Sequence, residues 1–377
     1  MPSKNARPEV VAILCPLWHN YDHATSWKGE GWCEWELVKS AIPRFSGHYQ
    51  PFQPEWGCHD ESDSAWAEKE VDLAAAHGID VFLYDWYWYS GVRIMEEALE
   101  NGFLKAKNRE RVKFALMWAN HHWTDYFPAP FGQKWNSWLP SRHNERDMMR
   151  VMDYCAEKYF SQPNYWTSEG KLFFSFFEPV RLVKEFGGAA EFRRLLSKMN
   201  GRLRKKALPP LHLNAMTWGP EPVDELRDAG FLSTTTYNVT SSGKTSENLT
   251  QDYADLISAH ERHWAKMAAA SLPHCPVVTM GWDVTARCEK NVSWPFPPSP
   301  LTGKRDYPYG HVVLGNTPEM FGKLCEKGKL QAEKTKPVPN AVFVNSWNEW
   351  TEDHVLLPDT VFGFSYLEAV RRVFRGG

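Results

Sequence analysis

The chain has 377 residues, 43% hydrophobic and 24% charged, with a formal net charge of -3, so it can bury a large core as one big α/β barrel or as two ordinary domains. That composition excludes a disordered, collagenous or small disulfide-framed protein. The charge balance, with basic residues clustered only at 202–206, leaves no electrostatic footprint for nucleic acid or an anionic membrane.

Taken in chain order, the first apolar run covers residues 10–15. It is far shorter than a secretory leader with its cleavage site or a membrane span of roughly 20 residues, so the expectation is a soluble, cytoplasmic protein. Eight apolar, β-rich runs then recur, at 10–18, 79–89, 113–121, 171–178, 211–218, 231–238, 276–283 and 341–350. Their near-continuous apolar character, in place of strict alternation, predicts strands buried on both faces, as in a parallel sheet covered by helices. Helical patterns lie at 65–76, 142–159, 189–205, 249–270, 318–329 and 362–374. A strand-then-helix alternation repeated eight times predicts a single (β/α)8 barrel spanning 1–377. A doubly wound nucleotide fold is the alternative, but no G-x-G-x-x-G follows any strand and no G-x-x-x-x-G-K-[ST] occurs. Irregular stretches at 19–32, 123–140 and 284–310 each follow a predicted strand, where the active-site loops of a barrel belong.

Seven cysteines with no C-x-x-C pair predict reduced thiols, neither a disulfide framework nor a thiolate zinc site. Nineteen tryptophans exceed what a core readily buries, because indole is bulky and its N–H needs a partner. Flat aromatic faces with polar neighbours suit sugar rings, so a carbohydrate is the expected partner.

Barrel enzymes work at the C-terminal ends of their strands, which here are rich in carboxylates, amides and indoles and hold no serine or cysteine in a nucleophile elbow. The segment NSWNEWTED places Glu349 and Glu352 three residues apart beside Trp347 and Trp350. Two carboxylates on one short turn push each other's proton affinities apart, the arrangement that acid/base work on a glycosidic bond needs. The bland reading is an acidic turn preceding a helix. Glu178, closing FFSFFEP, is a second carboxylate that either faces the barrel mouth or caps and pairs locally. If it opposed Glu349 or Glu352 across a sugar, an acid plus nucleophile would result. Asp85 is placed to bind hydroxyls or to pair inside the barrel. Trp18, Tyr87, Trp88, Asn120, His121, Trp123, Trp282 and Trp347 are the expected substrate contacts, and Tyr237 is expected to bind substrate or orient a carboxylate. The histidine pairs His121–His122, His19–His23 and His260–His263 form no H-E-x-x-H, so neither a metal nor another cofactor is expected.

Five ordered motifs carry a family likeness: GEGWCEW (29–35), IPRFSGHYQPFQP (42–54), AAAHGIDVFLYDWYWYSG (74–91), LMWANHHWT (116–124) and VNSWNEWTEDHVLLPDTVFGFSYLEAV (344–370). With these the chain resembles the WbsX-like family, glycosyltransferases of surface-polysaccharide loci, and the related glycoside hydrolase family 99 barrels of endo-α-mannosidase type. The resemblance implies a retaining hydrolase whose W-N-E-W-x-E turn is catalytic. Glu349 would then be the base on the sugar 2-hydroxyl and Glu352 the acid/base, with an anhydro-sugar intermediate. The chain departs from the family where WANHHW replaces W-A-N-E-N-W, so that His121 stands for a carboxylate. Asp353 likewise replaces a glycine, and Leu356-Leu357-Pro358-Asp359 replaces L-E-P-D. The alternatives are a glycosyltransferase of polysaccharide biosynthesis, against which stands the lack of a D-x-D motif, and a non-catalytic glycan-binding barrel.

Overall fold

In the computed structural model, which describes residues 7–124 and 127–376, each of the eight apolar runs contributes one strand. Positions 125 and 126, inside the predicted loop at 123–140, lie outside the described residues. The strands are β1 (Glu9–Leu14), β2 (Val81–Tyr89), β3 (Lys113–Trp118), β4 (Lys171–Phe176), β5 (Leu211–Met216), β6 (Ser233–Thr235), β7 (Val277–Thr279) and β8 (Ala341–Asn345). They run parallel in the order β6-β5-β4-β3-β2-β1-β8-β7. The remaining seam, between β6 and β7, is joined by a bridge from Thr234 to His274, where the Thr234 N–H donates to Pro273 O and the Cys275 N–H to Thr234 O, both at 2.9 Å. The result is a nearly closed eight-stranded barrel. All nine positions of β2 are buried, as two-sided covering requires.

Helices α1 (Ser64–Ala76), α2 (Glu145–Lys158), α3 (Ala189–Arg204), α4 (Val223–Ala229), α5 (Tyr253–Met267), α6 (Pro318–Thr335) and α7 (Ser365–Arg375) cover the outside. Several start where the sequence supplies a side-chain cap: Asp63, Asn144, Asp252 and Thr317 each accept a backbone N–H of the first turn. The β2-to-β3 crossover departs from the expected alternation, holding a π-helical turn at Ala98–Gly102 and 3-10 turns at Phe103–Lys105 and Arg109–Arg111. The chain passes close to its neighbour here: a Cβ on Gly102 would lie 2.1 Å from the Glu61 carbonyl oxygen, so only glycine fits.

Strand pairing also stops short of the predicted ends. β1 ends at Leu14 and β3 at Trp118, because the residues beyond splay into the loops of the C-terminal face. Those loops have their own small apolar cluster of Ala129, Leu249, Cys288, Phe296 and Tyr309. The Arg44 guanidinium ties the stretch after β7 together by donating to the carbonyls of Cys288, Glu289 and Val292, each at 3.1 Å.

Candidate active site

A cavity of about 350 Å³ opens at the C-terminal ends of the strands, a size usual for small-ligand sites. Its acidic wall is the turn after β8. There Asn348–Glu349 pairs antiparallel with His354–Val355, which folds Glu352 back beside Glu349. The turn is pinned to β1. Asn348 accepts from the Cys15 N–H at 2.8 Å and donates to the Cys15 carbonyl at 2.9 Å, and the Trp347 N–H donates to Ile13 O at 2.7 Å. Ser346 Oγ accepts the Glu349 N–H at 3.1 Å and donates to His354 O at 2.6 Å. Oxygens of Glu349 and Glu352 and a ring nitrogen of His354 lie within 4.8 Å of one another.

Arg287, 3% exposed, arrives from the loop after β7 and holds both carboxylates. One terminal nitrogen donates to Glu349 Oε1 at 3.1 Å and the other to Glu352 Oε1. Its Nε donates to Thr351 Oγ1 at 2.8 Å, and its plane rests 4.5 Å over Phe127. Tyr307 adds an O–H to Glu352 Oε1 at 2.7 Å. Burial opposes the charge of Arg287, but Glu352, Tyr307 and Glu349 hold its pKa above the ordinary guanidinium range. Glu349, Glu352 and His354 are grouped closely enough for a metal, yet the positive charge between the two carboxylates is supplied by Arg287.

On the other side, the Tyr237 hydroxyl lies 3.0 Å from Asp85 Oδ2 and 2.9 Å from Glu349 Oε2. It has one proton to give. Burial and the charge of Glu349 push Asp85 well above the usual carboxylate range, and the Tyr237 hydroxyl stands within donating distance of both carboxyl groups. Burial and Glu352 raise Glu349 as well, with Arg287 pulling it back. Burial lowers His354 to about 4. Its Nε2 faces Gly281 O at 2.6 Å, so the neutral ring carries its proton there and leaves Nδ1 unprotonated, 3.7 Å from Glu352 Oε2.

Of the residues singled out in the sequence, Asp85, Tyr87, His121, Trp123, Glu178, Tyr237, Trp282, Glu349 and Glu352 line this cavity. Strand alternation decides the β2 set: Asp85 and Tyr87 face inward, while Trp88 faces α2 and donates its indole N–H to Asp147 at 3.1 Å. Three further expected contacts are also turned away. Trp18 is fully buried against Trp35 with ring centroids 4.5 Å apart. Asn120 spans two strand ends, accepting the Glu178 N–H at 2.7 Å and donating to its carbonyl at 3.2 Å. Trp347 packs on Phe82 and donates to Glu70 at 3.2 Å. Glu178 sits on the wall but is paired with Arg181 at 2.5 Å, the local role weighed against a nucleophile. His121 stands where the family has a carboxylate. Its Nδ1 faces the His122 carbonyl at 2.9 Å, and burial lowers its pKa. The proton therefore sits on Nδ1 and the free Nε2 accepts.

Arg287 and Tyr307 were missed. Both lie in the 284–310 stretch that sequence marks as an active-site loop, but neither ends a strand. Glu34, within GEGWCEW, was missed as well. It is 1% exposed, and burial raises it to about 7 beside the field of Arg287 and Glu349.

An eight-stranded parallel barrel with a charged cavity on its C-terminal face is a TIM-type barrel. The model of the family described as Glycosyltransferase WbsX matches residues 10–370, and the chain belongs to that family. WxcX of Xanthomonas campestris pv. campestris, an uncharacterised protein, is 25% identical over 373 residues, which cover 96% of this chain and 49% of WxcX. The chain thus spans about half the length of the curated relatives it matches. Among solved structures, the GH99 endo-α-mannosidase from Bacteroides thetaiotaomicron is similar with a TM-score of 0.60 at 13% identity, covering 97% of both chains. A glycoside hydrolase-like protein is similar with a TM-score of 0.61 at 13% identity, covering 99% of this chain and 96% of the other. At that identity the likeness is one of fold. No helix among the described residues is long and apolar enough to cross a membrane.

Proposed function

We propose that this barrel is a retaining glycoside hydrolase acting on an oligo- or polysaccharide. The observation that carries the reading is the Glu349–Glu352 pair, two carboxylates with oxygens inside 4.8 Å on one turn of the cavity wall. Carboxylates held so close on one segment do not readily flank a sugar ring on opposite faces, so a nucleophile from the substrate itself completes the chemistry. Glu349 takes the proton of the 2-hydroxyl, O2 attacks C1, and the C1–leaving-group bond breaks as Glu352 protonates the departing oxygen. Water, deprotonated by Glu352, then opens the anhydro sugar at C1 while Glu349 returns the proton to O2. Glu352 Oε1 is occupied by Arg287 and Tyr307, which leaves Oε2 for the transferred proton. Trp123 and Trp282 offer the aromatic walls, and Trp218, 50% exposed, stands at the rim.

A second assignment exchanges the two roles. It rests on the raised proton affinity of Glu349, which burial and the neighbouring Glu352 push up. The test is mass spectrometry of a glycan panel incubated with the protein and no nucleotide sugar, followed by substrates with good and poor leaving groups. New reducing ends are expected. Glu352→Gln should cost about 10²–10⁴-fold on poor leaving groups and far less on activated aryl glycosides, while Glu349→Gln should lose both. The reverse pattern exchanges the roles. Turnover of a 2-deoxy substrate at the normal rate refutes the 2-hydroxyl step, and the absence of new reducing ends favours transfer, as the family's name has it.

A further inference from the structure

Outside the cavity, a second group of ligating side chains converges. One ring nitrogen of His59 and one oxygen each of Glu61 and Glu70 lie within 4.8 Å of one another. Glu61 and Glu70 are 3% and 5% exposed, and among the described residues neither has a cationic partner. Two buried carboxylates so close do not both stay ionised unless a cation lies between them. His59 supplies an independent sign of a missing partner, because its Nε2 is buried with no hydrogen bond. The ring is held flat on Trp66, centroids 3.8 Å apart and planes 13° apart, and the residue's carbonyl accepts the Trp35 indole N–H at 2.7 Å.

The geometry points to a divalent-cation site of zinc type, built from His59, Glu61 and Glu70, that braces the acidic turn from behind. One nitrogen and two carboxylate oxygens suit zinc, whereas calcium takes 6–8 oxygens. Zinc–ligand bonds of about 2.0–2.2 Å put tetrahedral ligand atoms roughly 3.4 Å apart, so the side chains need to close by up to about 1.4 Å. Outer hydrogen bonds already orient the carboxylates. Asn348 Nδ2 donates to Glu61 Oε1. The Trp18 N–H donates to Glu61 Oε2 at 3.3 Å, and Trp347 Nε1 donates to Glu70 Oε1 at 3.2 Å. Asn348 and Trp347 immediately precede Glu349, so an ion here stiffens the segment that sets the position of both cavity carboxylates.

The test is titration of the EDTA-stripped full chain with ZnCl2, by calorimetry and thermal melting. A Cys58→Ser background removes the exposed thiol beside His59. One zinc per chain and a rise in melting temperature are expected, with CaCl2 giving neither. His59→Phe, which keeps a ring stacked on Trp66, and Glu70→Gln should each weaken zinc binding by at least about tenfold, the loss that removing even an outer partner can cause. Circular dichroism confirms that each variant is folded, and Glu349→Gln should bind zinc as the parent does. The site is refuted if the folded parent takes up no zinc, if His59→Phe binds unchanged, or if Glu349→Gln abolishes binding and so places the ion at the cavity. A chain that ignores zinc but melts higher on Glu70→Gln holds a shared proton there, which also overturns the proposal. None of these readouts requires substrate turnover, so they stand apart from the hydrolase reading.

Discussion

Replacing Arg287 with methionine removes the guanidinium that rests over Phe127 and deletes the charge between Glu349 and Glu352. With oxygens inside 4.8 Å and an effective dielectric of about 20, the two ionised carboxylates then repel each other by about 3.5 kcal/mol or more. One of them takes up a proton in preference, a rise of about 2.5 pK units at about 1.36 kcal/mol per unit. A carboxylate whose folded pKa is raised above its unfolded value costs nothing below the unfolded value and destabilises progressively above it. The extra loss in Arg287→Met therefore begins near pH 4.3, the ordinary glutamate value, and is complete near pH 7. Burial and Glu352 already raise Glu349 in the parent, so the comparison is variant against parent at each pH. Thermal melts at pH 4.5 and 7.5 are the assay. The deficit of the variant should grow between them by about 3 kcal/mol, roughly 4 °C for a chain of this size. An equal deficit at both pH values would falsify the view that Arg287 acts by neutralising the pair, and would assign its whole effect to lost packing.

Two further perturbations probe the same network. Tyr237→Phe removes the hydroxyl 2.9 Å from Glu349, a hydrogen bond to a charged group of about 1.5–3 kcal/mol. It should lower kcat by about 10–150-fold and move the acidic limb of the kcat/KM profile to higher pH, since that bond holds Glu349 down; an unmoved limb counts against this role of the Tyr237 hydroxyl. Glu34→Gln replaces a carboxylate that burial raises to about 7. The parent loses stability from about pH 4.3 up to 7 because of it, so the variant should gain up to about 3 kcal/mol relative to the parent between pH 5 and 8. Chemical denaturation at the two pH values decides this, and a pH-independent difference would show that Glu34 is ionised throughout.

The barrel was legible because its signal is local. Runs such as KFALMW and KLFFSF have no polar face to offer water, and covering both faces of such strands leaves few architectures beyond a parallel sheet wrapped by helices. The crossover after β2, built of π and 3-10 turns where the alternation predicts a helix, includes a contact that the local sequence does not hold, the passage of Gly102 against the Glu61 carbonyl.

The side chains around the cavity were legible only as far as strand direction and sequence proximity reach. Glu349 and Glu352 could be paired on paper because a three-residue turn brings them together wherever the chain goes. Asp85 and Tyr87 follow from their place at the end of β2, but Trp88 on the same strand could be told from them only once alternation was anchored to an inside and an outside. Asn120 and Trp347 sit where ligand contacts belong, yet their polar atoms serve Glu178 and Glu70. Those partners are 58 and 277 residues away. Arg287 meets Glu349 and Glu352 across 62 and 65 residues, and Asp85 meets Tyr237 across 152. Sequence by itself determined the strands, the face on which the loops gather and the acidic turn, because hydrophobic patterning and short-range geometry are written in neighbouring residues. Which charge stands between the two carboxylates, which carboxyl groups burial raises and which indoles meet the cavity were decided only by tertiary structure. Those properties depend on burial and on distances between segments that meet only when the barrel closes.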